Sequence, residues 1–147
     1  MDEFEAVEIL LVEDSDADAE LIIRALRKSS LVNKVVRLRD GVEAIEFVFR
    51  EGAFSQRSGG QPRLILLDLK MPRLGGIDVL RRLKADERTK LIPVVVLTSS
   101  AEEQDVVTSY KLGVNSYLVK PVEFSAFTSV ITQTGLYWAV MNRIPNQ

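Results

Sequence analysis

At 147 residues and 46 % hydrophobic composition the chain has the size and apolar content of one domain with one core, which excludes a two-domain arrangement. Its 19 basic and 21 acidic residues leave a net charge of −2, and the basic residues are scattered, which argues against a nucleic-acid binder. The absence of cysteine and histidine excludes disulfide scaffolding, thiolate chemistry, Ser-His or Cys-His catalysis and imidazole metal ligation.

The acidic start Met1-Asp2-Glu3-Phe4-Glu5 leads into only a short apolar run, unlike a secretory signal, and no apolar segment reaches membrane-spanning length. A cytoplasmic protein with no membrane partner is therefore expected. From there, apolar runs too short for buried helices alternate with segments of helical period, the pattern of a parallel sheet covered on both faces. Residues 8–12 form the first expected strand and end at Glu13-Asp14, and Leu21, Ile22, Ala25 and Leu26 make the helical stripe that follows. Residues 34–38 form the second strand, followed by a stripe of Ala44, Ile45, Val48 and Phe49.

Residues 51–63, with Ser58-Gly59-Gly60-Gln61-Pro62, lack periodicity and read as a long surface loop. The third strand, 64–67, runs straight into Asp68. A turn-rich connection at 72–76 then leads to a helix carrying Ile77, Leu80 and Leu83. Residues 94–97 are the fourth strand and precede Thr98-Ser99-Ser100, after which Val106, Val107, Tyr110 and Leu112 suggest a helix stopped at Gly113. The fifth strand, 116–119, precedes Lys120-Pro121, and a last helix is expected from near Phe124, burying Phe127, Val130 and Ile131.

The acidic and polar residues at the strand ends carry the chemistry. If the first and third strands are parallel neighbours, Glu13, Asp14 and Asp68 converge at the carboxyl edge of the sheet, where open α/β folds place ligands. Such crowding needs neutralising charge, which Lys120 and a divalent ion would supply. An aspartate carboxylate is ionised at neutral pH, so Asp68 could attack a phosphoryl group without a general base, giving an acyl phosphate. Mg²⁺, a hard octahedral ion that takes few protein ligands, fits the acidic set, with Lys120 and Thr98 available to the phosphoryl oxygens. Taken singly, Asp14, Ser15 or Asp16 is better read as a helix cap, Thr98, Ser99 and Ser100 as another, Asp68 as a turn starter and Lys120 as a surface lysine. Their shared position at strand ends favours a common site.

Val12-Glu13-Asp14, Leu66-Leu67-Asp68-Leu69-Lys70-Met71-Pro72, Leu97-Thr98-Ser99-Ser100 and Tyr117-Leu118-Val119-Lys120-Pro121 together resemble the receiver domain of two-component response regulators, in order and spacing, over nearly the whole chain. The resemblance implies an α/β, flavodoxin-like (βα)5 fold: a doubly wound parallel sheet of strand order 2-1-3-4-5 with five helices. It implies that Asp68 accepts phosphate from a sensor histidine kinase, with Mg²⁺ held by Glu13, Asp14, Asp68 and the backbone carbonyl of Lys70. Thr98 and Lys120 would contact the phosphoryl group, and Thr98 and Tyr117 would form the switch. Lys70 and Ser100 occupy the positions that tune phosphoryl lifetime; neither is a carboxamide or carboxylate, so slow self-dephosphorylation is expected. Output would be a population shift at the surface of the fourth helix, fifth strand and fifth helix, read by an unidentified downstream protein. No catalysis beyond its own phosphorylation and dephosphorylation is implied.

Two departures bear on partners. The loop at 51–63 is long, and the chain continues past the expected last helix through Tyr137, Trp138, Met141 and Ile144. Both features are similar to single-domain regulators that serve phytochrome-type, light-sensing kinases. The expected division is a receiver domain at 1–135 and an extension of the last helix with its tail at 136–147. Tyr137, Trp138 and Met141 are read as an interface, first for a homodimer and second for kinase docking. Three other functions stay open. An aspartate-nucleophile phosphatase would want a carboxylate where Lys70 stands, and a flavodoxin-like carrier would want a phosphate cradle where Glu13-Asp14-Ser15-Asp16 stands. A phosphorylation-independent interaction module would leave the acidic, hydroxyl and lysine positions unexplained.

Overall fold

The computed structural model describes residues 9–28, 34–99 and 103–120, together with 125, 126 and 129. Five parallel strands, β1 (Ile9–Val12), β2 (Val35–Leu38), β3 (Leu64–Leu67), β4 (Val94–Thr98) and β5 (Ser116–Val119), pair in the order β2-β1-β3-β4-β5. The connecting helices are α1 (Asp16–Lys28), α2 (Gly41–Phe49), α3 (Gly76–Ala85) and α4 (Glu103–Lys111). This is the expected flavodoxin-like order. Most of the expected fifth helix, including Phe124, Phe127, Val130 and Ile131, falls outside the described residues. None of the described helices is long and apolar enough to cross a membrane.

Strand alternation divides the core into two layers. Leu10, Val12, Ile65, Leu67, Val94 and Val96 face α2 and α3, whereas Ile9, Leu11, Leu64, Leu66, Val95 and Leu97 face α1. Every residue of β1, β3 and β4 is buried, which explains why these strands, apart from Thr98 at the end of β4, are runs of apolar residues rather than alternating. Each such side chain contributes roughly 1.5–3 kcal/mol relative to exposure, so the sheet can carry a costly polar edge.

The helical stripes are partly redrawn. In α2, Ala44, Ile45, Val48 and Phe49 are all buried, as expected. In α1 the inward residues are Ala19, Ile22 and Leu26, with Ile23 packed beside them, while Leu21 is 60 % exposed. Leu21 therefore does not belong to the stripe: it lies one position after Glu20 on the solvent side of the 3.6-residue period set by Ala19, Ile22 and Leu26. In α4, Ser109 is buried and Leu112 packs on the core, which turns Val107 and Tyr110 outward instead of inward. Gly113, at φ +95°, closes that helix, as the sequence predicts.

The long loop at 51–63 is also tied down rather than loose. Gly52–Phe54 forms a 3₁₀ turn, and the Phe54 ring meets Phe47 edge-on at 5.2 Å. Buried Arg57 donates from Nε to the Phe47 carbonyl at 2.9 Å and from Nη1 to the Gly60 carbonyl at 3.1 Å. Gln61 donates to the Val48 carbonyl at 2.9 Å. The bonds to Phe47 and Val48 satisfy carbonyls in the last turn of α2, and the bond to Gly60 ties the loop to itself.

Close approach fixes where α3 begins. A Cβ on Gly76 would lie 2.3 Å from the Asp68 carbonyl oxygen and 2.7 Å from the Leu69 Cα, so glycine lets the helix start directly against the end of β3. Gly76→Ala is expected to lower stability by about 1–3 kcal/mol through this overpacking. Urea unfolding reads the effect, and an unchanged midpoint would contradict the close approach.

Candidate functional site

β1 and β3 are neighbours in the register Val12↔Leu67, so the residues that follow them emerge side by side. The Asp68 N–H donates to the Val12 carbonyl at 3.0 Å, and the Glu13 N–H donates to the Leu38 carbonyl of β2 at 2.9 Å. Glu13, Asp14 and Asp68 each bring one carboxylate oxygen to within 4.8 Å of the others. Glu13 and Asp68 are buried while Asp14 is exposed, which leaves the cluster open to solvent on one side.

Lys120 reaches this cluster from β5. Its N–H donates to the Thr98 carbonyl at 2.8 Å, and Thr98, the last residue of β4, pairs with Val119 and is fully buried. The ammonium donates to Glu13 Oε1, to Asp18 Oδ2 at 2.9 Å and to Asp68 Oδ2 at 3.4 Å. All three of its donors are engaged. Glu13 Oε2 accepts from the Ser15 N–H at 3.1 Å, and Asp68 Oδ1 accepts from the Lys70 N–H at 3.3 Å. Ser15 caps α1 by accepting the Asp18 N–H at 3.2 Å, so of the three residues considered as caps, Ser15 makes this bond.

The electrostatics follow from this crowding. Burial pushes Glu13 up to about 7, against the opposing pull of the Lys120 and Ser15 hydrogen bonds, with the Asp68 charge adding to the rise. Burial works to lower Lys120 as well, but its bonds to Glu13 and Asp18 and the charge of Asp68 hold it above the usual lysine range. Two like charges about 4 Å apart repel by about 4 kcal/mol at an effective dielectric near 20, so the acidic cluster depends on added positive charge. Its donor set, hard carboxylate oxygens with one open side, fits a divalent ion such as Mg²⁺ or Mn²⁺.

The remaining expected residues are placed as follows. Tyr117 is half-buried against the core layer of α2 and α3. The Lys70 ammonium reaches across to α4 and pairs with Asp105 at 3.2 Å. Ser100, Tyr137, Trp138 and Met141 lie outside the described residues.

Sequence reasoning missed Asp18, Asp105 and Arg37. Asp18 was visible as the third residue after the Ser15 cap, but nothing local ties it to Lys120, 102 positions away. Arg37 did give a signal, since it is a lone charge in the apolar strand Val35-Val36-Arg37-Leu38.

Residues 9–132 match the response regulator receiver domain family. The probable methanogenesis regulatory protein FilR2 of Methanothrix harundinacea is 41 % identical over 93 % of this chain and 86 % of its own length. The response regulator Rcp1 of Synechocystis is 39 % identical over 93 % of this chain and 92 % of its own. A crystal structure of the Mn²⁺-bound form of response regulator Rcp1 is 38 % identical and superposes with a TM-score of 0.76, covering 95 % of this chain and 97 % of that one. The bacteriophytochrome response regulator RtBRR is 49 % identical with a TM-score of 0.82, covering 96 % of this chain and 86 % of that one.

The raised Glu13 has a measurable consequence in chelator. Between the ordinary glutamate value of 4.5 and about 7 the native chain keeps a proton that the unfolded chain has released. This group's contribution to stability should therefore fall as pH rises through that window and level off above it. Glu13→Gln should remove that part of the slope in unfolding measured against pH. An identical slope in the variant would contradict the assignment.

Proposed function

The chain belongs to the response regulator receiver domain family, and from that premise we propose that Asp68 is its phosphoacceptor, charged by a sensor histidine kinase. Phosphoryl acceptance and Mg²⁺ dependence are general features of this family. The observation that carries the reading is the convergence of buried Asp68, the neighbouring carboxylates Glu13 and Asp14, and the Lys120 ammonium on one small volume.

In the transfer, an Asp68 oxygen attacks phosphorus and the bond from phosphorus to the kinase histidine nitrogen breaks. The nitrogen keeps the bonding pair and takes up a proton. Lys120, already 3.4 Å from Asp68, is placed to follow the added negative charge, and buried Thr98 lies at the same edge with a hydroxyl donor. Glu13, Asp14, Asp68 and the Lys70 carbonyl would hold Mg²⁺, which when bound neutralises charge on the phosphoryl oxygens. Because both Glu13 oxygens already accept hydrogen bonds, Glu13 suits contact through water. Lys70 offers no carboxamide or carboxylate to orient an attacking water, and its ammonium is held by Asp105, which supports slow self-dephosphorylation. The same position lacks the acid a phosphatase would need.

Release of Lys120 and Thr98 toward the phosphoryl group would bias α4 and β5, with Tyr117 as the second switch residue. Val107, Tyr110 and Val119 are 39 %, 50 % and 44 % exposed on these two elements, an apolar surface fitted to a downstream protein. The likeness to RtBRR and Rcp1 supports a phytochrome-like, light-sensing kinase as the donor. Residues 1–135 would form the receiver, and 136–147, with Tyr137, Trp138 and Met141, the contact with a second copy of the chain. Deleting 136–147 should then convert a dimer to a monomer on a sizing column; a monomeric parent chain would remove this part.

Incubation with acetyl phosphate and Mg²⁺ should give a labile covalent phosphate that chelator abolishes. Asp68→Asn should lose the label entirely, read by intact-protein mass. Labelling of the variant at the parent level would rule out Asp68 as acceptor.

A further inference from the structure

Arg37 lies on the edge strand β2, opposite Leu11, and its side chain is 17 % exposed. Its Nε and Nη2 both donate to the Glu13 carbonyl, at 2.9 and 2.7 Å. Its Nη1 donates to Asp16 Oδ1 at 2.7 Å, and Arg39 donates to the same oxygen at 2.6 Å. The peptide unit that carries the Glu13 carbonyl is the one that joins Glu13 to Asp14, and it is rigid and planar. A two-pronged grip on that oxygen therefore sets the direction from which both acidic side chains depart. Together with the Glu13 N–H bonded to Leu38 and the Asp16 carboxylate held just beyond, the acidic turn is fastened on both sides of Asp14.

We propose that Arg37 is a positioning residue for the divalent cation, acting through the Glu13–Asp14 peptide rather than by touching the ion. The inference rests on the reading of Glu13, Asp14 and Asp68 as the cation site. Two effects of the guanidinium oppose each other. Its charge, close to the cluster, repels a cation and weakens binding; its grip on the carbonyl fixes the ligands in advance and strengthens binding. Substitution separates them, because a methionine removes both effects while a lysine keeps the charge and cannot reproduce the rigid fork.

The test is Mn²⁺ affinity of the full chain, measured from the electron paramagnetic resonance signal of the free ion, with the unfolding midpoint taken on the same samples. If positioning dominates, Arg37→Met raises the Mn²⁺ dissociation constant by roughly 10-fold, within the range seen when groups that orient metal ligands are removed. Arg37→Lys weakens binding at least as much, since it retains the repelling charge. Arg39→Met, which alters the Asp16 pair but not the grip on Glu13, leaves affinity within about 2-fold, well below that range. Tighter or unchanged binding in Arg37→Met and Arg37→Lys overturns the positioning role while leaving the cation site in place. Failure of the parent chain to bind Mn²⁺ overturns both. If Arg37→Met does not fold, Arg37→Lys decides the question, and loss of folding in both variants assigns Arg37 to the fold and ends the proposal.

Discussion

Carboxylates from three separate stretches of the chain converge on the Lys120 ammonium: Glu13 after β1, Asp18 in the first turn of α1 and Asp68 after β3. The bond of the Lys120 N–H to the Thr98 carbonyl fixes the main chain at the end of β5, and from that anchor the flexible side chain carries its charge into the cluster. The electrostatic balance of the site follows from this shared charge. The carboxylates repel, the ammonium holds them, and each of its donors is committed, so any newcomer of either sign must redistribute the bonds. A divalent ion would relieve the carboxylates, and a phosphoryl group on Asp68 would draw on the same lysine.

The fold supplies that edge at low cost because its stability resides elsewhere. Two apolar layers, divided by strand alternation, bury β1, β3 and β4 completely, and the polar cluster begins only where those strands stop. Local devices then set the last few ångströms. Ser15 turns the chain into α1, Gly76 brings α3 against the Asp68 carbonyl, and Arg37 grips the turn between Glu13 and Asp14.

The strands were legible because a doubly covered parallel sheet leaves unbroken runs of apolar residues, and β3 and β5 fall at 64–67 and 116–119 as read. The meeting of Glu13, Asp14 and Asp68 was legible for the same reason, since residues that follow neighbouring parallel strands must share an edge. Facing errors arose where local period and tertiary packing disagree. Val107 and Tyr110 have helical spacing, but buried Ser109 and half-buried Leu112 define the inner side of α4. The loop at 51–63 looked unstructured because its order comes from single polar contacts, chiefly Arg57 on the end of α2, which no periodicity announces. Partnerships such as Lys120 with Asp18 and Lys70 with Asp105 are set by the approach of distant segments.

Whether Lys120 is the internal counter-charge of the cluster is tested most directly by Lys120→Met in unfolding experiments with chelator and with saturating Mg²⁺. The account predicts that the variant loses about 3 kcal/mol in chelator, as expected when one partner of a buried charge cluster is removed. Mg²⁺ should then stabilise the variant more than the parent chain. Equal stability of the two proteins in chelator, with equal response to Mg²⁺, would contradict it.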